Sequence, residues 1–285
     1  MKLSTLAASA PFLLLSVAAL AADHDFERTL STGSSPTVSV STGSGYIHLR
    51  PGPDNQVKVA AHLHAGNNWL GGGDVEARIA QIVSNPPVVQ SGNDIIIGER
   101  HAGDRYRNIS IDYEVTLPRA SSIEGSTGSG DVELQDVGAR FKGSSGSGSV
   151  RARNVSGPAS LESGSGDIEL NQSAPGDVRA QTGSGNIRLN NVSGGLKAGT
   201  GSGDIEVSGN PASDWKLDTG SGSVRLTLGS AARFNLSAST GSGSIHTQQS
   251  MATQGESNRH HLSGTVNGGG PTLRINTGSG DVEIK

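Results

Sequence analysis

From Gly128 onward the apolar residues keep fixed distances from a recurring Gly-Ser-Gly triplet. Four and six residues after its first glycine stand Val132/Leu134, Ile168/Leu170, Ile187/Leu189, Ile205/Val207, Val224/Leu226 and Val282/Ile284. Five and three residues before it stand Ala159/Leu161, Val178/Ala180, Leu196/Ala198, Trp215/Leu217, Leu236/Ala238 and Leu273/Ile275. Both sets have the period of two that turns one face of a β-strand inward. The pattern predicts a strand on each side of the triplet, with the glycines making a tight corner between them. The residue just before each triplet is Ser or Thr, from Thr42 and Thr127 to Thr240 and Thr277, and it shares the inward face.

The triplets begin at Gly43, Gly128, Gly146, Gly164, Gly183, Gly201, Gly220, Gly241 and Gly278, which gives rungs of about 18–19 residues. Two strands per short repeat predict an all-β fold, a parallel β-helix or β-solenoid whose equivalent strands stack about 4.8 Å apart. The 37-residue gap before Gly278 spans two periods and predicts a degenerate rung within residues 251–270. The outward residue of the second strand tests the stacking independently. In chain order it reads Glu133, Arg151, Glu169, Arg188, Glu206, Arg225, His246, and the corner residue ahead of it alternates as Asp131, Ser149, Asp167, Asn186, Asp204, Ser223. Opposite charges on adjacent strands contribute roughly 0.2–1 kcal/mol per contact and like charges repel, so consecutive rungs are expected to be spatial neighbours.

The first part of the chain is less regular. Val38, Val40, Thr42, Ile47 and Leu49 already make one rung, and residues 57–65, 94–97 and 108–117 read as further strands. Residues 74–84 read as a short helix, with Val75, Ile79, Ile82 and Val83 on one face, Asp74 capping its start and Pro86-Pro87 after its end. This stretch is expected to be a decorated cap over the open end of the stack, which such folds need for solubility. Residues 1–21 read as a secretory signal peptide: Lys2 is the positive start, residues 11–20 are mostly apolar, and Ala19-Leu20-Ala21 has the cleavage form. The apolar run is shorter than the roughly 20 residues of a membrane span. The expected organisation is a signal at 1–21, an N-terminal rung and cap region at 22–125, and the solenoid repeats at 126–285. Lys285 directly follows the final strand, an edge expected to be open to self-association unless Glu283 and Lys285 oppose it.

Composition narrows the core. Of 285 residues 33% are hydrophobic, only 3% are aromatic and 42 are Gly, so the interior must be thin and filled by small side chains. A net charge of −4 gives none of the basic footprint of a nucleic-acid binder. With no cysteine there is no disulfide, no lipid-modified cysteine and no thiolate metal site.

The repeated Ser/Thr-Gly-Ser-Gly-Asp/Ser/Asn-Ile/Val-Glu/Arg-Leu/Val, with Gly-Thr-Val-Asn-Gly-Gly-Gly at residues 264–270, resembles the bacterial putative-adhesin family with β-strand repeats, a domain of unknown function. The resemblance covers residues 36–285. It implies a β-helix at or outside the cell envelope, and it brings no catalytic residues to transfer.

Several residue sets invite chemistry. Gly-Ser-Gly-Asp suggests a calcium-binding β-roll, but the period is about twice the nonapeptide of those proteins and the Asp alternates with Ser or Asn. Asp131, Asp167 and Asp204 recur on every second rung, a spacing an inverting glycosidase could use, yet a regular corner beside Arg151 and Arg188 is no shielded cleft for a raised acid. Local bonding to backbone amides explains them more simply. His62 and His64 face the same way on one strand with no third ligand in the pattern, and His260-His261 sits in a polar loop. Asn154-Val155-Ser156 and Asn191-Val192-Ser193 match a glycosylation acceptor but also a plain turn. Trp215 takes an inward slot, which leaves Trp69 in a Gly-rich loop as the platform for a sugar. The outward row four residues before each triplet, Lys142, Ser160, Arg179, Lys197, Lys216, Ser237, Arg274, holds five cations in seven positions. Such a stripe could track an anionic polymer, or simply be a solvated face that blunts aggregation.

These observations predict an exported, non-enzymatic β-solenoid of the cell envelope, an adhesin or surface-interaction protein in the periplasm or on the cell surface, with no cofactor or metal. The alternative is a polysaccharide-binding or polysaccharide-modifying β-helix protein. Cell-surface polysaccharide or another envelope protein is the expected partner, and the binding stripe would be Lys142, Arg179, Lys197, Lys216 and Arg274.

Overall fold

The computed structural model describes residues 24–66, 72–99, 104–253 and 257–285; the expected signal peptide at 1–21 and Trp69 lie outside them. Among these residues the strands that precede the corners belong to a 13-stranded sheet, and those that follow belong to a 12-stranded one. Within the repeats, neighbouring strands are parallel and in register, as in Val150↔Ile168, Ile168↔Ile187 and Ile187↔Ile205. The fold is a β-solenoid. The patterned apolar pairs are its core: Ile168, Ile187, Ile205 and Val224 are wholly buried, with Trp215, Tyr113, Phe141 and Phe234 as the largest fillers.

The corner chemistry is legible at Thr182. Its hydroxyl donates to the Gly166 carbonyl of the rung before (2.8 Å) and accepts from the Gly185 N–H of its own corner (3.2 Å). Ser145, Ser163 and Thr240 make the same pair of bonds. The inward hydroxyl row therefore satisfies buried backbone groups that would otherwise be costly. Glycine is required by close approach: a Cβ on Gly148 would lie 2.0 Å from the Gly130 carbonyl oxygen. Asp136, Asn154 and Asn191 are left-handed, at φ 55°, 58° and 59°, and both Asn-Val-Ser sequences begin inside a strand near its end, where the register of neighbouring rungs shifts.

Rung order departs from chain order at both ends. The last rung, Thr272–Thr277 with Val282–Ile284, inserts between the 215–228 rung and the 234–247 rung. The C-terminal strand therefore has a partner on each side, which corrects the expectation of a free edge there. The described residues of 251–270 form no degenerate rung. Met251–Thr253 and His261–Val266 are a hairpin folded back antiparallel on Phe234–Thr240. The N-terminal end mirrors this arrangement. Thr37–Thr42 and Ile47–Pro51 lie between the 122–135 rung and an outer rung of Asp94–Ile97 and Ile109–Leu117. Antiparallel strands Gln56–Ala65 and Asp25–Ser31 extend one sheet beyond that rung. The helix spans Gly72–Ser84 and buries Val75, Ile79 and Ile82 as its pattern requires. It starts ahead of Asp74, which sits in the first turn and pairs with Arg78 at 3.2 Å rather than capping the helix.

Insertion of the last rung completes the charge pattern. Along the stack the outward row of the post-corner sheet reads Glu114, His48, Glu133, Arg151, Glu169, Arg188, Glu206, Arg225, Glu283, His246. Acid and base alternate at every step, and Arg225 meets Glu283 at 3.0 Å.

Candidate functional site

Two outward surfaces carry polar chemistry, and they are built differently. On the corner beside the post-corner sheet, each aspartate is engaged by the next rung. Asp131, Asp167, Asp204 and Asp281 accept the backbone N–H of Ser149, Asn186, Ser223 and Ser244, each at 2.8 Å. Arg151 adds a bond to Asp131 at 2.7 Å. Burial pushes the Asp131 carboxyl up, but the Ser149 amide and Arg151 outweigh it and hold the group below its ordinary value. A general acid needs the opposite shift. The corner row thus ties rung to rung, and its Asn and Ser members take part: Asn186 accepts the Asp204 N–H at 3.0 Å and Ser223 the Asp281 N–H at 3.3 Å.

The histidines of the cap region are likewise spoken for separately. His62 meets Asp25 at 3.1 Å and His64 meets Asp112 at 3.0 Å, so they bridge different strand pairs instead of converging. Among the described residues no group of three His, Asp or Glu side chains is placed to hold a metal ion. His260 and His261 lie at the loop that covers the last corner, where the His260 carbonyl accepts from Thr240. Trp215 is buried and its indole N–H donates to the Gly194 carbonyl at 2.8 Å, so its face is closed to ligands.

On the pre-corner sheet the outward row is not alternating. Register places Glu124, Lys142, Ser160, Arg179, Lys197, Lys216, Arg274 and Ser237 side by side in that order. The inserted rung puts Arg274 directly against Lys216 and displaces Ser237 to the outside. Four cations, Arg179, Lys197, Lys216 and Arg274, therefore stand on consecutive rungs. Lys142 is separate from them, beyond Ser160, and is paired with Glu124 at 3.0 Å. Like charges directly opposite on neighbouring strands are unfavourable, so this row works against the register that the other sheet's row supports.

The four cations are not equivalent. Arg179 lies 3.6 Å from Glu162 and donates to Gln181, and Lys216 lies 3.0 Å from Asp218. Lys197 and Arg274 have no carboxylate within salt-bridge distance among the described residues. Each borders a cavity. Lys197 lines an open groove of about 760 Å³ with Glu162, Gln181, Gly199, Asp218 and Asn276. Arg274 lines one of about 290 Å³ with Asp214, Trp215, Lys216 and Thr272. The groove exists because Gly199 stands where other rungs carry an outward side chain, Glu162 or Gln181 on one side and Asp218 or Asn276 on the other. The charge stripe was visible in the sequence. Gly199 was not singled out, although alignment of the position two residues before each triplet shows the missing side chain.

Residues 88–285 match the family described as Toastrack DUF4097. Solved structures with a similar course of the chain include a putative cell adhesion protein from Clostridium sporogenes, 12% identical, with 92% of this chain and 99% of that chain covered at a TM-score of 0.24. Others are a putative adhesin from Bacteroides fragilis, 12% identical over 92% and 97% at 0.46, and a putative lipid binding protein from Parabacteroides distasonis, 10% identical over 92% and 96% at 0.41. No curated protein matches the sequence.

Proposed function

Since the chain belongs to the Toastrack DUF4097 family, we propose that it is an exported, non-catalytic surface-interaction module of the cell envelope, adhesin-like, whose pre-corner sheet is the contact face for an anionic polymer such as surface polysaccharide. The observation that carries this reading is the run of Arg179, Lys197, Lys216 and Arg274 on four consecutive rungs. A fold that alternates charge along one sheet but sets four cations on consecutive rungs of the other, with Glu162 and Asp218 beside only two of them, holds that second row for something other than its own stability. A row of cations at strand spacing attracts a flexible polyanion and does so in a salt-dependent way. Export is supported by the signal-like residues 1–21, and among the described residues no helix is long and apolar enough to cross a membrane. Non-catalytic action is supported by the engagement of the corner carboxylates with backbone amides.

The test is retention of the purified protein on an immobilised acidic polysaccharide across a salt series, beside the variant Lys197→Glu/Lys216→Glu. Retention that fades with salt and vanishes in the variant supports the reading; equal retention of both proteins sinks it. Fractionation and antibody accessibility on intact cells check export, and recovery of the protein only in the cytoplasm would refute that part.

A further inference from the structure

We propose that Lys197 and Arg274 bind two carboxylates of one acidic polysaccharide chain laid along the stack, with one of its sugar rings seated in the groove at Gly199. This rests on the reading of the pre-corner sheet as the contact face and adds which residues bind and what they bind.

The spacing comes first. Of the four consecutive cations, the first and third are held by Glu162 and Asp218, while the second and fourth have no carboxylate partner among the described residues. Lys197 and Arg274 are thus two rungs apart, about 9.6 Å at the strand spacing of a sheet. In an extended polymer of hexuronic acids with two-fold symmetry, carboxylates on one side recur every second sugar, a repeat close to this distance. The cations between and beside them are neutralised by Asp218 and Glu162 and do not compete for the ligand.

The groove is the second, independent feature. A Cβ on Gly199 would meet nothing nearer than 3.7 Å, and its backbone is not left-handed, so neither packing nor conformation demands glycine there. This separates it from the corner glycines, where a neighbouring carbonyl leaves no room. The missing side chain leaves a recess with Lys197 on its rim and Gln181, Asp218, Asn276 and Glu162 on its walls. These groups offer both donors and acceptors, as hydroxyls of a sugar ring require. Asn276 donates to Asp218 at 2.8 Å, which fixes one wall.

Binding of polygalacturonate by the full mature chain, measured by calorimetry at low salt with polyglutamate as a sugar-free polyanion, tests this. Lys197→Gln and Arg274→Gln are expected each to weaken polygalacturonate binding by about tenfold or more, the scale of one charge-assisted contact, while Lys142→Gln leaves it unchanged. Gly199→Asn fills the recess and is expected to weaken polygalacturonate binding without changing polyglutamate binding, with an unchanged melting temperature showing that it folds. If polygalacturonate binds but Lys197→Gln and Arg274→Gln behave like Lys142→Gln, or Gly199→Asn has no effect, the site is wrong while the contact face stands. If the unaltered chain binds no acidic polysaccharide, both readings fall.

Discussion

Leu273→Ala probes the inserted last rung directly. Leu273 is wholly buried, with Trp215 in register on one side and Leu236 on the other. Leu262 lies one layer further out, on the hairpin opposite Ala238, and is only partly buried. Truncating a fully enclosed leucine costs about 2–5 kcal/mol, transfer and residual cavity together, whereas a leucine with one side open loses a fraction of that. For a chain of this size 1 kcal/mol moves the melting temperature by roughly 2–4 °C, so a mid-range cost of about 3 kcal/mol corresponds to roughly 6–12 °C. Urea unfolding followed by tryptophan fluorescence suits the experiment, because Trp215 packs against the mutated position. Leu273→Ala is expected to lower the midpoint by clearly more than Leu262→Ala. Hydrogen exchange adds a local readout: amides of Val282–Ile284 should be as protected as those of Val224–Leu228, since both strands are flanked on two sides. If rungs stacked in chain order, the C-terminal strands would be outermost, and a larger effect at Leu262 or early exchange at residues 282–284 would refute the insertion.

Three further outcomes follow from the corner chemistry. Gly148→Ala places a Cβ against the Gly130 carbonyl and is expected to cost 1–3 kcal/mol or so, about the range for overpacking, whereas Gly199→Ala has room and is expected to be neutral or to stabilise by about 0.5–1 kcal/mol; melting temperatures that move together for the pair contradict the steric account. Thr182→Val keeps the shape but removes the partner of the Gly166 carbonyl and the Gly185 N–H, and should cost roughly 1–3 kcal/mol in denaturant unfolding; a silent variant would mean that the hydroxyl row is idle. Asp131 is pushed up by burial but drawn lower still by the Ser149 amide and Arg151, and Asp281 is lowered by the Ser244 backbone and hydroxyl bonds. Both folded values lie below the ordinary 3.8, so the unfolded chain binds more protons in that range. Stability is therefore full above that value and declines as pH falls below it; Asp131→Asn should flatten the decline in urea midpoints taken at descending pH, and a midpoint that rises on acidification would overturn the assignment.

Much of the fold was written in the sequence because a solenoid is local. The period of two fixes which side chains turn inward, the Gly-Ser-Gly spacing fixes the rung, and the Ser or Thr before it marks the corner; each depends on residues a few positions apart. The corner aspartates were legible only in part. Bonding to backbone amides was expected within the corner, whereas each bonds the amide of the neighbouring rung, and for Asp281 that rung is one the chain laid down earlier.

What the sequence alone could not decide was which rung lies on which at the ends. Parallel strands of like pattern are interchangeable partners, so the 272–284 rung fits beside several others, and only the long-range contacts of the cap hairpin and the 215–228 rung select one place. A trace of the answer was present: from residue 131 on, chain order sets the base Arg225 beside the base His246 and Ser223 beside Ser244, a break in each of the two alternating rows. Glu283 and Asp281 fill those gaps once the last rung is inserted. The same insertion puts Arg274 next to Lys216 and makes a run of four cations from a row that looked interrupted. Local periodicity determined the rungs, and tertiary packing decided their order, because the energy that separates alternative stackings resides in contacts between residues far apart in the chain.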